Sequence, residues 1–315
     1  RRPPGDHGFG NPGGPFVMDA LLTLLLLDGT PAREPRPGEV QRFPVCDRVL
    51  LRSGPATLFF EGGPQVGDHT HPDKGQFILE AHGERLAADP GMCDYSDPAH
   101  LSFKSTYRHN LVTVGGRDQS CRDALKAVVI RRLDASDPAA TLIDADLSGA
   151  YRELSSYDRR ILFVRAAMPY MVVVDEVELA DGAGGGAAGE LAWNFHARGT
   201  IDATTEAGRY RVSAERAGMH LLIRSPRPLE SRFATTEAAS GVFTRDLSLR
   251  ASIGQRTLRI AALLAPYPPG SPGTEPALTV DATADHNGVR FTVRGPWGRD
   301  VVVCRFGEAP RLERA

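Results

Sequence analysis

At 315 residues the chain can bury one large core or two ordinary ones. It carries 37 basic and 39 acidic residues, a net charge of −2, and 41% hydrophobic residues. That balance describes a soluble globular protein and gives no general electrostatic attraction to nucleic acid or to an anionic membrane.

Residues 1–41 begin rich in glycine and proline, then hold one apolar run, Phe16 to Leu27, broken by Asp19, and a linker with Pro31, Pro35 and Pro37. The run is too short to span a membrane. No small-x-small cleavage site follows it, so it reads as a helix packed on a neighbouring domain rather than as a signal peptide. Localisation is left open. The cysteines, Cys46, Cys93, Cys121 and Cys304, form no C-x-x-C pair. They read as free thiols more readily than as a disulfide framework or a cysteine zinc site.

From Arg42 onward the pattern changes to short apolar runs bounded by Gly, Pro, Asp or Ser. Val49–Arg52, Thr57–Glu61, Gln76–Ala81, Leu111–Val114, Ile161–Val164 and Tyr170–Val177 come first. Leu191–His196, Tyr210–Ala214, Leu221–Arg224, Leu258–Leu264, Val289–Arg294 and Val301–Phe306 follow. Each is of strand length and rich in β-branched or aromatic residues. Gln76–Ala81, His82-Gly83 and Arg85–Ala88 together form a hairpin signature. No helical pattern of ten or more residues separates the runs; Arg122–Arg132 is the weakest exception. This excludes a doubly wound α/β fold. The expected fold is all-β: a large antiparallel β-sandwich over 42–315 with a short N-terminal helical segment in 1–41. Asp181–Gly189 reads as a loop, and the double basics Arg131-Arg132 and Arg159-Arg160 read as sheet-surface charges.

Residues 68–110 concentrate polar chemistry in turn-rich segments: Asp68-His69-Thr70-His71-Pro72-Asp73, then Asp89-Pro90-Gly91, Tyr95, and Ser105-Thr106-Tyr107-Arg108-His109-Asn110. In an extended segment His69 and His71 point to the same face. Asp89 and His109 would complete a tetrahedral nitrogen and oxygen cage for zinc. Asp73 reads as a turn or outer residue, Asn110 as a backbone partner, and His196 as an interior histidine. Tyr95 and Tyr107 taken alone read as wall residues.

Leu58–Gly116 resembles the C-terminal domain of the heparinase II/III-like polysaccharide lyases, which include alginate and oligoalginate lyases. The shared pieces are Gly67-Asp68-His69-Thr70-His71-Pro72-Asp73, Gln76-Phe77, Asp89-Pro90-Gly91 and Lys104-Ser105-Thr106-Tyr107-Arg108-His109-Asn110. Weaker likeness continues through Arg160–Glu176 and Trp193–His196. The resemblance implies a Zn2+ site at His71, Asp89 and His109, with His69 facing the substrate beside it and Tyr95 placed where a general acid could sit. It also implies β-elimination on a uronic-acid polysaccharide or oligosaccharide. That reaction neutralises the C6 carboxylate, removes the C5 proton and protonates the C4 oxygen.

Family members carry an N-terminal α/α toroid, and residues 1–41 are too few to form one. The expectation is therefore a lyase domain working with a toroid encoded upstream or on a partner chain. The competing reading is a non-catalytic, zinc-stabilised carbohydrate-binding sandwich. A metallo-β-lactamase reading fails because Lys74 follows Asp73 where a histidine ligand is required. An amidohydrolase reading fails because no alternating helices follow.

Overall fold

In a computed structural model, the described residues are 39–67, 70–183, 189–237, 243–268 and 278–314. The N-terminal helical segment expected in 1–41 therefore lies outside them, except for its last residues. The described chain is part of one compact unit that starts at Pro37.

The strands run in chain order as β1 (Val40–Phe43), β2 (Arg48–Ser53), β3 (Ala56–Phe60), β4 (Phe77–Ala81), β5 (Glu84–Ala87) and β6 (Val112–Val114). Next come β7 (Val129–Asp134), β8 (Ala140–Asp146), β9 (Leu154–Val164), β10 (Tyr170–Leu179) and β11 (Leu191–Ala197). Then follow β12 (Thr200–Ala203), β13 (Arg209–Ser213), β14 (Gly218–Arg224), β15 (Leu229–Glu237) and β16 (Phe243–Ala251). The last are β17 (Thr257–Tyr267), β18 (Thr279–Ala284), β19 (Gly288–Gly295), β20 (Gly298–Arg305) and β21 (Arg311–Arg314). All the pairings between these strands are antiparallel. The fold is all-β, as the short apolar runs require, and the helical content of the described residues is a few short turns such as His100–Lys104.

The strands form four sheets: β1-β2-β3-β4-β5, β12-β13-β14-β17-β10-β9-β8-β7, β15-β16-β11-β6 and β18-β19-β20-β21. The eight-stranded sheet lies in the middle, and its alternating side chains explain why. Ile161, Phe163, Met171 and Val173 on one face pack with Leu58, Phe77, Trp193 and Phe195 from the first and third sheets. Leu162, Val164, Val172 and Val174 on the other face pack with Phe291, Val293 and Val302 from the last sheet. Burial on both faces is why Ile161–Val164 of β9 and Tyr170–Val174 of β10 read as continuous apolar runs instead of alternating ones. The sandwich thus has a third layer.

The β4–β5 hairpin turns through His82 and Gly83, both at positive φ (53° and 78°). Two consecutive left-handed residues are what a tight two-residue hairpin turn requires.

One expectation fails in the core. Arg159 is fully buried and Arg160 nearly so. Arg159 forms a two-pronged pair with Asp175, Nε to Oδ1 at 2.8 Å and Nη2 to Oδ2 at 2.7 Å. Its Nη1 donates to the carbonyls of Gly75 (2.6 Å) and Asn110 (2.7 Å), and Trp193 Nε1 donates to Asp175 Oδ2 at 2.7 Å. Arg160 reaches Glu176 Oε1 at 2.6 Å. Register supplies these partners: Arg159 lies directly opposite Asp175 in the β9–β10 ladder. Arg131 and Arg132 are exposed, as expected of sheet-surface charges.

Candidate metal centre

Two loops carry His71, Asp73 and His109, one leading from His71 into β4, the other leading from Ser105 to β6, while Asp89 follows β5. They are tied together before any ligand is considered. Thr106 Oγ1 donates to the Pro72 carbonyl at 2.6 Å and accepts from the Gln119 amide at 2.8 Å. Gln119 in turn brackets Lys74, accepting from its amide at 3.0 Å and donating to its carbonyl at 2.7 Å. Lys74 is buried and pairs with Glu61, which Arg48 holds from the other side. Gly75 then turns at φ 92°, where a Cβ would fall 2.2 Å from Leu147 Cδ2. Only glycine lets the loop enter β4 at this point.

These ties bring ligating atoms of His71, Asp73 and His109 within 4.8 Å of one another. The His71 and His109 rings lie 5.4 Å apart. His109 is fully buried, and its Nδ1 meets Asp89 Oδ2 at 3.0 Å. Gln76 Nε2 spans both carboxylates, reaching Asp73 Oδ2 at 3.0 Å and Asp89 Oδ2 at 2.8 Å. The Gly91 amide donates to Asp89 Oδ1 at 2.6 Å. Asp73, read from sequence as a turn or outer residue, thus has its carboxylate inside the cluster.

His109 Nε2 and Asp73 Oδ1 are buried without a hydrogen-bond partner among the described residues, although the Lys74 ammonium lies 3.7 Å from Asp73 Oδ1. Leaving a buried acceptor unmatched is costly, so the site fits a ligand that supplies positive charge. The donor set of two imidazoles and two carboxylates is one that zinc accepts. The separation of His109 Nδ1 from Asp89 Oδ2 is also compatible, since an edge of a tetrahedron with ~2.0–2.1 Å bonds is about 3.3 Å.

The electrostatics point the same way. Burial and the neighbouring His109 charge lower the His71 pKa to about 4, so its ring is neutral and ready to ligate near pH 7. Burial opposes charge on His109, but the hydrogen bond and charge of Asp89, with Asp73 beyond, raise its pKa above the ordinary histidine value. Burial likewise opposes charge on Asp89, yet His109, Gln76 and the Gly91 amide hold it well below the usual carboxylate range. Burial pushes Asp73 up. An ion taken up through His109 would have to displace the proton that its raised pKa favours. Zinc affinity is expected to fall as pH drops below the raised His109 pKa. Below that pKa up to one proton should be released per ion bound. Calorimetric titration in buffers of different ionisation enthalpy counts that proton, and a count of zero would show that His109 is not a ligand.

His69, the expected substrate-facing residue, lies outside the described residues. Tyr95 is on the surface with its ring 4.6 Å from His100. Tyr107 donates or accepts at Ser102 Oγ (2.8 Å) and lies under the Arg108 guanidinium, 4.3 Å from the ring centre. Asn110 behaves as the sequence implies, its Nδ2 donating to the carbonyls of Phe77 (2.8 Å) and Ala88 (3.1 Å). Asn110 thus ties the start of β4 and the residue after β5 to β11, with its Oδ1 accepting from the His196 amide at 2.9 Å.

The fold and the cluster together define a stacked antiparallel β-domain with a built nitrogen and oxygen ligand set on cross-tied loops. The family model described as heparinase II/III-like, C-terminal, matches residues 35–268, and the chain belongs to that family. Solved structures share the fold at low identity. A heparinase III gene product superposes with a TM-score of 0.68 at 18% identity, over 92% of this chain and 46% of that one. A crystal structure titled heparinase III gives 0.65 at 15% identity, over 87% and 44%. The heparan sulfate lyase from Pedobacter heparinus gives 0.65 at 14% identity, over 92% and 46%. The chain therefore spans a little under half the length of these structures. Comparison with curated protein sequences returned no match.

Proposed function

We propose that this chain is the β-sheet half of a polysaccharide lyase that cleaves a uronic-acid-containing polysaccharide or oligosaccharide by β-elimination. The observation that carries the reading is the grouping of His71, Asp73 and His109, with Asp89 bonded to the His109 ring, in a chain of this family. His71, Asp89 and His109 would hold zinc, with Asp73 beside them. Bound there, the ion would supply positive charge and fix the two loops relative to each other.

The chain's own groups account for two parts of the elimination. His69 neutralises the C6 carboxylate, so that negative charge can develop at C5. Tyr95, two-thirds exposed at 67% and thus open to substrate, protonates the departing C4 oxygen. The base that takes the C5 proton belongs to a toroid, in the remainder of the protein or on a partner chain. Relatives about twice as long support that division.

The test is metal content by mass spectrometry on the purified chain, followed by ultraviolet detection of the unsaturated uronate with the toroid present. About one zinc per chain, lost in both His71→Ala and His109→Ala, together with product absorbance on an acidic polysaccharide, is expected. No zinc in the wild type overturns the metal centre. Zinc without elimination leaves the carbohydrate-binding reading in its place.

A further inference from the structure

The edge of a sheet is an open row of N–H and C=O groups. Proteins ordinarily blunt it by shortening the strand, bending it, or placing lysine or proline on it. Among the described residues the edge strands follow that rule with one exception. β1, β5, β12 and β21 have four residues and β6 has three. β18 has six, and β7 is bent by a register shift between Ile130 and Arg132. The exception is β15, at the edge of the β15-β16-β11-β6 sheet. It runs for nine residues, pairs with β16 without a register shift, and contains neither lysine nor proline. No described strand pairs with its outer side.

Six consecutive residues, Glu230 to Thr235, are exposed, so neither face of the strand is covered there. Alternation puts Leu229, Ser231 and Phe233 on one face and Glu230 and Arg232 on the other. Phe233 is 48% exposed, although its ring meets Tyr210 edge-on at 6.1 Å between centres. Glu230 and Arg232 pair with each other at 2.9 Å, and both side chains are more than half exposed.

The order of these five residues is its own complement. Consider two copies of β15 placed antiparallel about a two-fold axis perpendicular to the sheet, which keeps their buried faces on one side. With the axis at Ser231, Glu230 of each copy faces Arg232 of the other, and Leu229 faces Phe233. Two ion pairs then fall on one face and two apolar pairs on the other. An axis at Glu230 or Arg232 sets like charges directly opposite each other. An axis at Phe233 leaves Arg232 opposite Ala234, and Glu230 opposite Thr236, whose hydroxyl already serves Asp246. Pro228 has no N–H to donate, and it ends the pairing on its side.

We propose that β15 is a self-association edge. Two copies of this chain pair antiparallel through Leu229–Phe233 and join their four-stranded sheets into one continuous sheet. The occupant is a second copy because the charges of the strand complement themselves, and an isologous contact of this kind closes at two chains. The contact is small and its ion pairs are exposed, so the dimer is weak, concentration-dependent and sensitive to salt. It involves neither the metal centre nor a substrate, and it stands apart from the lyase reading.

Sedimentation velocity of the full chain over a wide concentration range is the test. Monomer should convert to dimer, and to no larger species, as concentration rises. Glu230→Arg and Arg232→Glu should each weaken self-association at least about tenfold, because like charges then face each other twice. Mixed one to one, the two variants should associate again about as tightly as the wild type, since every facing pair is then opposite in sign. A purely structural role for the two residues would not give that recovery. Thermal melts of both variants report folding. A chain that stays monomeric at every concentration would overturn the proposal and leave the edge to a different chain. A dimer indifferent to both reversals, or a mixture of folded variants that fails to associate, would overturn it equally.

Discussion

Arg159→Met is expected to destabilise the protein by about 3–5 kcal/mol, the range for removing one partner of a buried ion pair. The loss is large against the roughly 5–15 kcal/mol that holds an ordinary domain together. Arg159 and Asp175 are both fully buried. Without the guanidinium, Asp175 would retain Trp193 Nε1 as a donor but lose its counter-charge, and the Gly75 and Asn110 carbonyls would lose Nη1. Adding Asp175→Leu should recover part of the deficit, because the uncompensated charge is then gone. Urea unfolding of wild type, single and double variants measures this directly. A single-variant loss under 1 kcal/mol would show that the pair is not a structural tie. Gly75 and Asn110 flank the two metal-site loops, so zinc affinity should fall in the single variant as well.

That pair also marks where the sequence becomes hard to read. A buried arginine looks like a surface one until its partner is known, and Asp175 is sixteen positions away on the next strand. Parts of the central sheet were legible where burial on both faces gives an unbroken apolar run, as in Tyr170–Val174, although β8, which holds Asp144 and Asp146, was not. Strands β7, β15 and β16 were not either. β15 is exposed along most of its length, and the buried positions of β15 and β16 include Thr236, Thr244 and Asp246, which carry no apolar signal. The missed β15–β16 hairpin supplies Asp246, the partner of His196, which is an interior histidine as the sequence implied.

At the candidate metal site His71 and His109 stood out because they fall in turn-rich segments instead of apolar runs. The carboxylates were harder. Spacing and family likeness point to Asp89, whereas proximity also brings in Asp73, and only loop closure through Thr106 and Gln119 reveals the latter.

Substitution of the two carboxylates separates their roles. Asp89→Asn is expected to abolish stoichiometric zinc binding, whereas Asp73→Asn is expected to weaken it by roughly 10–100-fold, the usual cost of losing a supporting partner. A ligating carboxylate must be ionised. Asp89 is held far toward its charged form by His109, Gln76 and the Gly91 amide, despite burial, while burial pushes Asp73 the other way. Asp89 Oδ2 and His109 Nδ1 already lie 3.0 Å apart, and loss of the proton between them frees both for one ion. The competing arrangement uses His109 Nε2 with the open Asp73 Oδ1 and leaves Asp89 to orient the ring. It predicts the reverse order of losses. Competition with a chromophoric zinc chelator gives both affinities on one scale. If Asp73→Asn loses the metal and Asp89→Asn only weakens it, then Asp73 is the ligand and Asp89 its histidine's support.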